Sequence, residues 1–175
     1  MTKEEICDLA ENYARKYNPD GLSPFPYEKI TDDKKDLNIY VSETENNISG
    51  AILFVPEENL FRIVVNKNKP RVRQNFTVAH ELGHYFLHQD IIKNNENLLV
   101  DEESSLDGNN ILFRMDAVQS SRVETEANNF AAALIMPAYL VKDAWMTLKN
   151  VDGCAKIFNV SVIAMSIRLE RLGLI

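Results

Sequence analysis

The stretch from Phe76 to His88 constrains the fold more than any other part of the chain. Wound at 100° per residue, it places His80, Glu81 and His84 on one side with Thr77 and His88. Phe76, Val78, Ala79, Leu82, Gly83, Tyr85, Phe86 and Leu87 cover the remaining arc. A surface helix shows one apolar stripe and a broad polar face. This helix shows the reverse, so it has to be enclosed by other elements on most sides, with only a narrow polar sector left. Two imidazoles and a carboxylate confined to that sector are costly to bury unless something satisfies them.

The sector has the spacing His80-Glu81-Leu82-Gly83-His84, and the chain's three histidines all lie within nine residues. Residues four apart on a helix share a face, so the two imidazoles can reach one ion with the glutamate beside it as a base. A zinc ion would satisfy the cluster. His88 stands two turns, about 12 Å, along the axis from His80, which is too far for the three rings to converge on one tetrahedral ion. It is expected to be a helix-end residue or one that supports a ligand. A second helix, Arg122 to Met136, offers Glu124 and Glu126. Glu124 shares a stripe with Asn128, Ala131 and Ile135 and faces inward, whereas Glu126 points nearly opposite, beside Arg122, and is expected on a solvated face. Ala127, Ala131 and Ala132 would allow the two helices a close approach. Asn128, one turn beyond Glu124, is placed to hold a ligand histidine by its second nitrogen.

Around these helices the pattern reads as α+β. Apolar residues at helical spacing run from Lys3 to Tyr17 and stop at Asn18-Pro19-Asp20-Gly21, and a short helical piece is expected over Tyr27 to Lys35. Leu37, Ile39 and Val41 alternate with polar neighbours as in a half-buried strand. Ala51 to Val55 and Leu60 to Val65 read as a hairpin, and Ile111 to Met115 as one more short strand, giving a small sheet of three to four strands. Helical patterns at Tyr139 to Leu148 and Asp152 to Leu172 close the chain. The latter has the outline of a helix-turn-helix, with Ser161 as an N-cap and Gly173 past the end, but its basic surface is too thin for a DNA reader, and two helices completing the core is the expectation. No linker or repeat divides the chain, so residues 1–175 are expected to form a single domain, with 1–22 as helix and connector and 139–175 as a helical subregion on the same body.

Charge and composition narrow the function. The net charge of −7 argues against direct nucleic-acid binding through a basic surface. Between Gln89 and Asn110 one lysine, Lys93, stands against Asp90, Glu96, Asp101, Glu102, Glu103 and Asp107, and this stretch is expected to be a loop beside the metal helix. No apolar run approaches the roughly 18 residues of a membrane span. The beginning of the chain has no apolar secretory segment, and Cys7 and Cys154 stand in no metal or disulfide spacing, so a reduced, cytoplasmic setting is expected.

Phe76-Thr77-Val78-Ala79-His80-Glu81-Leu82-Gly83-His84-Tyr85-Phe86-Leu87-His88, followed by Glu124-Thr125-Glu126-Ala127-Asn128-Asn129-Phe130-Ala131-Ala132-Ala133-Leu134-Ile135-Met136-Pro137, resembles the signature segments of the ImmA/IrrE family of zinc metallopeptidases. The resemblance runs from about Pro24 to the C-terminus. It implies a zincin-like domain in which an HExxH helix and a downstream ExxxN helix meet. Position by position it makes His80, His84 and Glu124 the zinc ligands and Glu81 the catalytic residue. It also implies bacterial or mobile-element origin and, as substrate or partner, a helix-turn-helix repressor. Many relatives carry an N-terminal helix-turn-helix domain, and none is expected in this chain, which begins too close to the catalytic domain to contain one; its acidic segment has no counterpart in the family pattern.

Two functions follow as expectations. One is a zinc endopeptidase of narrow substrate range, in which Glu81 serves as base and then acid, and a further donor such as Tyr139 or Arg114 steadies the oxyanion. The other is a zinc-containing regulatory module that grips a repressor without cutting it. A peptide would add as a strand to an open sheet edge, for which Leu60 to Val65 and Ile111 to Met115 are the two candidates.

Overall fold

Thr2 starts the first helix through a reciprocal cap: its hydroxyl accepts from the Glu5 N–H at 3.2 Å while its own N–H donates to the Glu5 carboxylate at 2.7 Å. Helix α1 (Lys3–Tyr17) then turns Ile6, Ala10, Ala14 and Tyr17 inward at helical spacing. The computed structural model describes residues 1–94, 98–102 and 117–175. The short helix α2 (Glu28–Asp33) leads into strands β1 (Leu37–Ser42), β2 (Ile48–Val55) and β3 (Leu60–Asn66). Helices α3 (Arg71–Leu87) and α4 (Gln89–Asn94), strand β4 (Leu98–Glu102), and helices α5 (Ala117–Ile135), α6 (Ala138–Leu148), α7 (Val151–Phe158) and α8 (Val162–Arg171) follow.

The sheet order is β1-β3-β2-β4. Strands β2 and β3 form the expected hairpin, antiparallel with Ile52 opposite Ile63, and turn through Pro56–Glu58 to Asn59 in the left-handed region at φ 49. Strand β1 runs parallel to β3 on its other side, with Ile39 opposite Ile63. The Leu60 to Val65 strand is therefore interior and is not a free edge, which corrects one of the two expected docking edges. Alternation along a strand reports which face is buried but says nothing about strand order. The other expected edge, Ile111 to Met115, lies outside the described residues.

The acidic stretch also departs from expectation. Its first part is helix α4, anchored by fully buried Ile92, and Leu98–Glu102 pairs with β2 as strand β4. The charges concealed two apolar runs, Ile91-Ile92 and Leu98-Leu99-Val100, that are sufficient to build short elements. Helix α5 begins five residues before the expected Arg122, because Ala117 to Ser121 carries helix but little apolar periodicity.

One face of the sheet, with Leu37, Ile52, Phe61, Ile63 and Val65, packs into a common core with Val78, Ala79, Leu82 and Tyr85 of α3. Each large side chain so buried contributes about 1.5–3 kcal/mol of transfer free energy. On the opposite side α3 meets α5. Tyr13 of α1 stacks on Phe86 of α3 at 4.1 Å, and Phe86 packs against Phe130 of α5 at 5.5 Å. The enclosure required by the α3 sequence is thus met by sheet, α5 and α1. The last helices complete the same core through Trp145, Phe158, Met165 and Leu169. Buried Arg168 ties them in by donating to the Met136 carbonyl at 2.9 Å and to Glu11 of α1 at 3.1 Å. The Ser161 cap is present, accepting from the Ala164 N–H at 3.1 Å. No helix among the described residues is long and apolar enough to cross a membrane.

Candidate metal centre

Two glycines bring the layers together at the polar sector of α3. A Cβ placed on Gly83 would lie 3.0 Å from both the Cα and the carbonyl oxygen of Ala127, so α3 and α5 touch backbone to backbone at that level. Glu124 sits less than one turn before this contact on α5. On the sheet side, a Cβ on Gly50 would overlap the Thr77 methyl and come 3.4 Å from Glu81 Oε1. The absence of side chains at these two positions lets β2 close on one flank of the HExxH turn and α5 on the other.

Between the two helices, His80 Nε2 and His84 Nε2 lie 3.0 Å apart. His80 Nε2 is 3.1 Å from Glu124 Oε2, and His84 Nε2 is 3.4 Å from Glu124 Oε1. The three side chains are buried, and one donor atom from each lies within 4.8 Å of the others. Zinc–ligand bonds of 2.0–2.2 Å in a tetrahedron give ligand–ligand separations of about 3.3 Å. The observed triangle has that size.

The outer nitrogens set the tautomers. His80 Nδ1 lies 3.0 Å from the Asn128 side-chain oxygen, an acceptor, so Nδ1 carries the proton and Nε2 keeps its lone pair toward the cluster. His88 Nε2 lies 3.0 Å from Glu126 Oε2, also an acceptor, which leaves His88 Nδ1 bare. His84 Nδ1, 3.1 Å from His88 Nδ1, therefore carries the proton between them, and its Nε2 lone pair also points inward. Two lone pairs and a carboxylate converging at this distance repel one another unless they share a cation. The residues present thus fit a divalent metal with one ligand position to spare, the pattern of catalytic rather than structural sites.

Titration points the same way. Burial pushes the His84 imidazole down to about 4, against the opposing pull of Glu124, so the ring is neutral near pH 7. His88 is also lowered by burial, with Glu126 opposing. His84 is therefore deprotonated at neutral pH, as a metal ligand must be.

The structure thus brings together His80, His84 and Glu124 and sets Glu81, 1% exposed, on the same turn of α3 against β2. Asn128 reaches His80 as expected although it is itself exposed. Glu126 was expected on a solvated face, and that expectation is corrected: it is half-buried, held by His88 on one side and by Arg122 Nε at 2.8 Å on the other. Angles around α5 alone could not show that His88, capping the end of α3, would reach back over it. The signal available was the spacing itself, since His88 follows His84 by one turn just as His84 follows His80. Tyr139 is engaged beneath the Arg15 guanidinium, 3.8 Å from its ring centre, and Arg114 lies outside the described residues.

A sequence profile of the IrrE N-terminal-like domain, Peptidase M78, matches residues 32–170. The chain belongs to this zincin-like, metallopeptidase-type family. A Mycobacterium tuberculosis transcriptional regulator has a similar fold, with a TM-score of 0.62 at 16% identity over 95% of this chain. The chain spans about half of that protein, 46% of its length. No curated protein matches the sequence significantly.

Proposed function

We propose that residues 1–175 act as one zinc-dependent endopeptidase unit. His80, His84 and Glu124 hold the metal and Glu81 is the catalytic residue. The observation that carries this reading is the triangle of three inward-facing donors with an HExxH glutamate on the same helical turn. Bound zinc supplies a Lewis acid and lowers the pKa of a water molecule toward neutrality. Glu81 would take a proton from the water that adds to the scissile carbonyl carbon. It would then pass that proton to the departing amide nitrogen as the C–N bond breaks, giving a carboxylic acid and an amine, which settle as carboxylate and ammonium. Glu81 is buried against β2, with its Oε1 on the Gly50 side of the HExxH turn.

The substrate strand lies along β4. This strand has a partner on one side only among the described residues, and it is one strand removed from Gly50, beside which Glu81 sits. The stretch from Gln89 to Asn110 carries six carboxylates against one lysine, a composition that favours a basic peptide. A helix-turn-helix repressor offers such peptides, and a narrow range of DNA-binding regulators is the substrate class that follows. The test is to incubate the zinc-loaded protein with the repressor encoded beside it and to search for cleavage by mass spectrometry. One specific cut, absent with Glu81→Gln although zinc is retained, supports the reading. Regulation of the repressor that survives Glu81→Gln without any cut would instead establish a gripping module.

A further inference from the structure

Beyond the three ligands, a second line of polar side chains runs outward from the centre. His84 Nδ1 faces His88 Nδ1 at 3.1 Å, His88 Nε2 faces Glu126 Oε2 at 3.0 Å, and Glu126 Oε1 accepts from Arg122 Nε at 2.8 Å. His84 and His88 are almost fully buried, Glu126 is 19% exposed at its side chain, and Arg122 is largely exposed at 69%. We infer that His88 and Glu126 are positioning residues for the metal site: Glu126 fixes the tautomer of His88, His88 thereby fixes the tautomer of His84, and the His84 Nε2 lone pair is committed to the metal before the metal arrives.

The direction of the relay follows from donor and acceptor chemistry. Glu126 is acceptor-only when ionised, and one of its oxygens accepts from Arg122 Nε at 2.8 Å while the other faces His88 Nε2. Its partner nitrogen on His88 must therefore be the donor. A neutral imidazole that donates at Nε2 accepts at Nδ1, and the nitrogen 3.1 Å away on His84 must then donate. A neutral His84 with its proton on Nδ1 has no proton on Nε2. Without this constraint each ring is free to place its proton on either nitrogen, and half of these arrangements point an N–H at the metal position. The relay removes them, and it also holds the His84 ring plane, since a ring bonded at Nδ1 cannot swing about its Cβ–Cγ bond. Arg122, exposed and outermost, steadies Glu126 only weakly. Outer partners of this kind are worth about 10–100-fold in metal affinity.

The inference rests on the metal reading but not on proteolysis, and its test is read on the full chain with zinc as probe. The three histidines make imidazole NMR unambiguous. Long-range proton–nitrogen spectra of the zinc-loaded protein are expected to show His80 and His84 protonated at Nδ1 and His88 protonated at Nε2. Glu126→Ala is expected to lower zinc affinity, measured by competition with a fluorescent chelator, by about 10–100-fold and to release His88 from the Nε2–H form. Glu126→Gln keeps an acceptor oxygen and should restore most of both. His88→Ala combined with Glu126→Ala should weaken binding no more than His88→Ala alone, because the two act in one line. Glu126 is partly exposed, so its variants remain informative should His88→Ala fail to fold. An Nδ1–H form of His88 in the wild type, or unchanged zinc affinity in a folded Glu126→Ala, would overturn the relay. Failure of the wild-type protein to bind zinc would instead overturn the metal reading beneath it.

Discussion

Gly83 of α3 and Ala127 of α5 are in backbone contact: a methyl on Gly83 would stand 3.0 Å from the Ala127 Cα and its carbonyl oxygen, a separation that neither helix can accept without moving. Glu124 reaches the two histidines because nothing stands between these helices. Gly83→Ala should therefore destabilise the fold by about 1–3 kcal/mol as an overpacked contact. The helix-propensity gain of about 1 kcal/mol from alanine only partly offsets this. Denaturant unfolding checks the stability, and chelator competition should show weakened zinc binding as α5 is displaced. A variant as stable as wild type, with unaltered zinc affinity, would show that the contact does not set the ligand geometry.

Asn128→Ala removes the acceptor for the His80 Nδ1 proton, 3.0 Å away. Its position is exposed, so the fold should hold while zinc affinity falls by roughly 10–100-fold. Asn128→Asp, which keeps an acceptor oxygen at the same reach, should recover most of the loss. Equal losses in the two variants would mean that Asn128 acts through something other than this bond.

On the sheet side, Gly50→Val should leave zinc bound and reduce cleavage. The new side chain would overlap the Thr77 methyl and crowd Glu81 Oε1, whereas the three ligands lie toward α5. Zinc stoichiometry and peptide turnover measured on one preparation separate the two effects. Loss of zinc with turnover per bound zinc intact would contradict the placement of Glu81.

The pH dependence has a fixed sign. His84 is lowered by burial from 6.5 to about 4 in the folded protein, so below 6.5 the unfolded chain binds the proton more readily. The stability that neutral His84 contributes is complete above pH 6.5 and is lost as pH falls toward 4, on the order of 3 kcal/mol across that interval. The melting temperature of the metal-free protein should therefore drop steadily between pH 6.5 and 4. Zinc loading should steepen the drop, because protons compete for the same nitrogens. A melting temperature that is flat over this range would rule out a neutral, buried His84.

Most of the centre could be read from the sequence because helical geometry is local. The spacing of His80 and His84, the inward stripe of Glu124 and Asn128, and the small residues facing Gly83 each follow from 100° per residue. What could not be read depends on how separate elements meet. The parallel pairing of β1 with β3, which closes the edge of the Leu60 strand, leaves no mark on either strand's alternation. The contact between His88 and Glu126 joins two residues that each look peripheral on their own helix. Strand β4 was obscured because the charges around Leu98-Leu99-Val100 outweighed an apolar run of three.

The central claim is that His80, His84 and Glu124 together hold one metal ion. It is tested most directly by elemental mass spectrometry on desalted protein after incubation with zinc. Wild-type protein should retain one zinc per chain, while folded Glu124→Ala and His84→Ala variants should retain almost none. Wild-type protein without zinc, or a Glu124→Ala variant that keeps a full equivalent, would contradict the account.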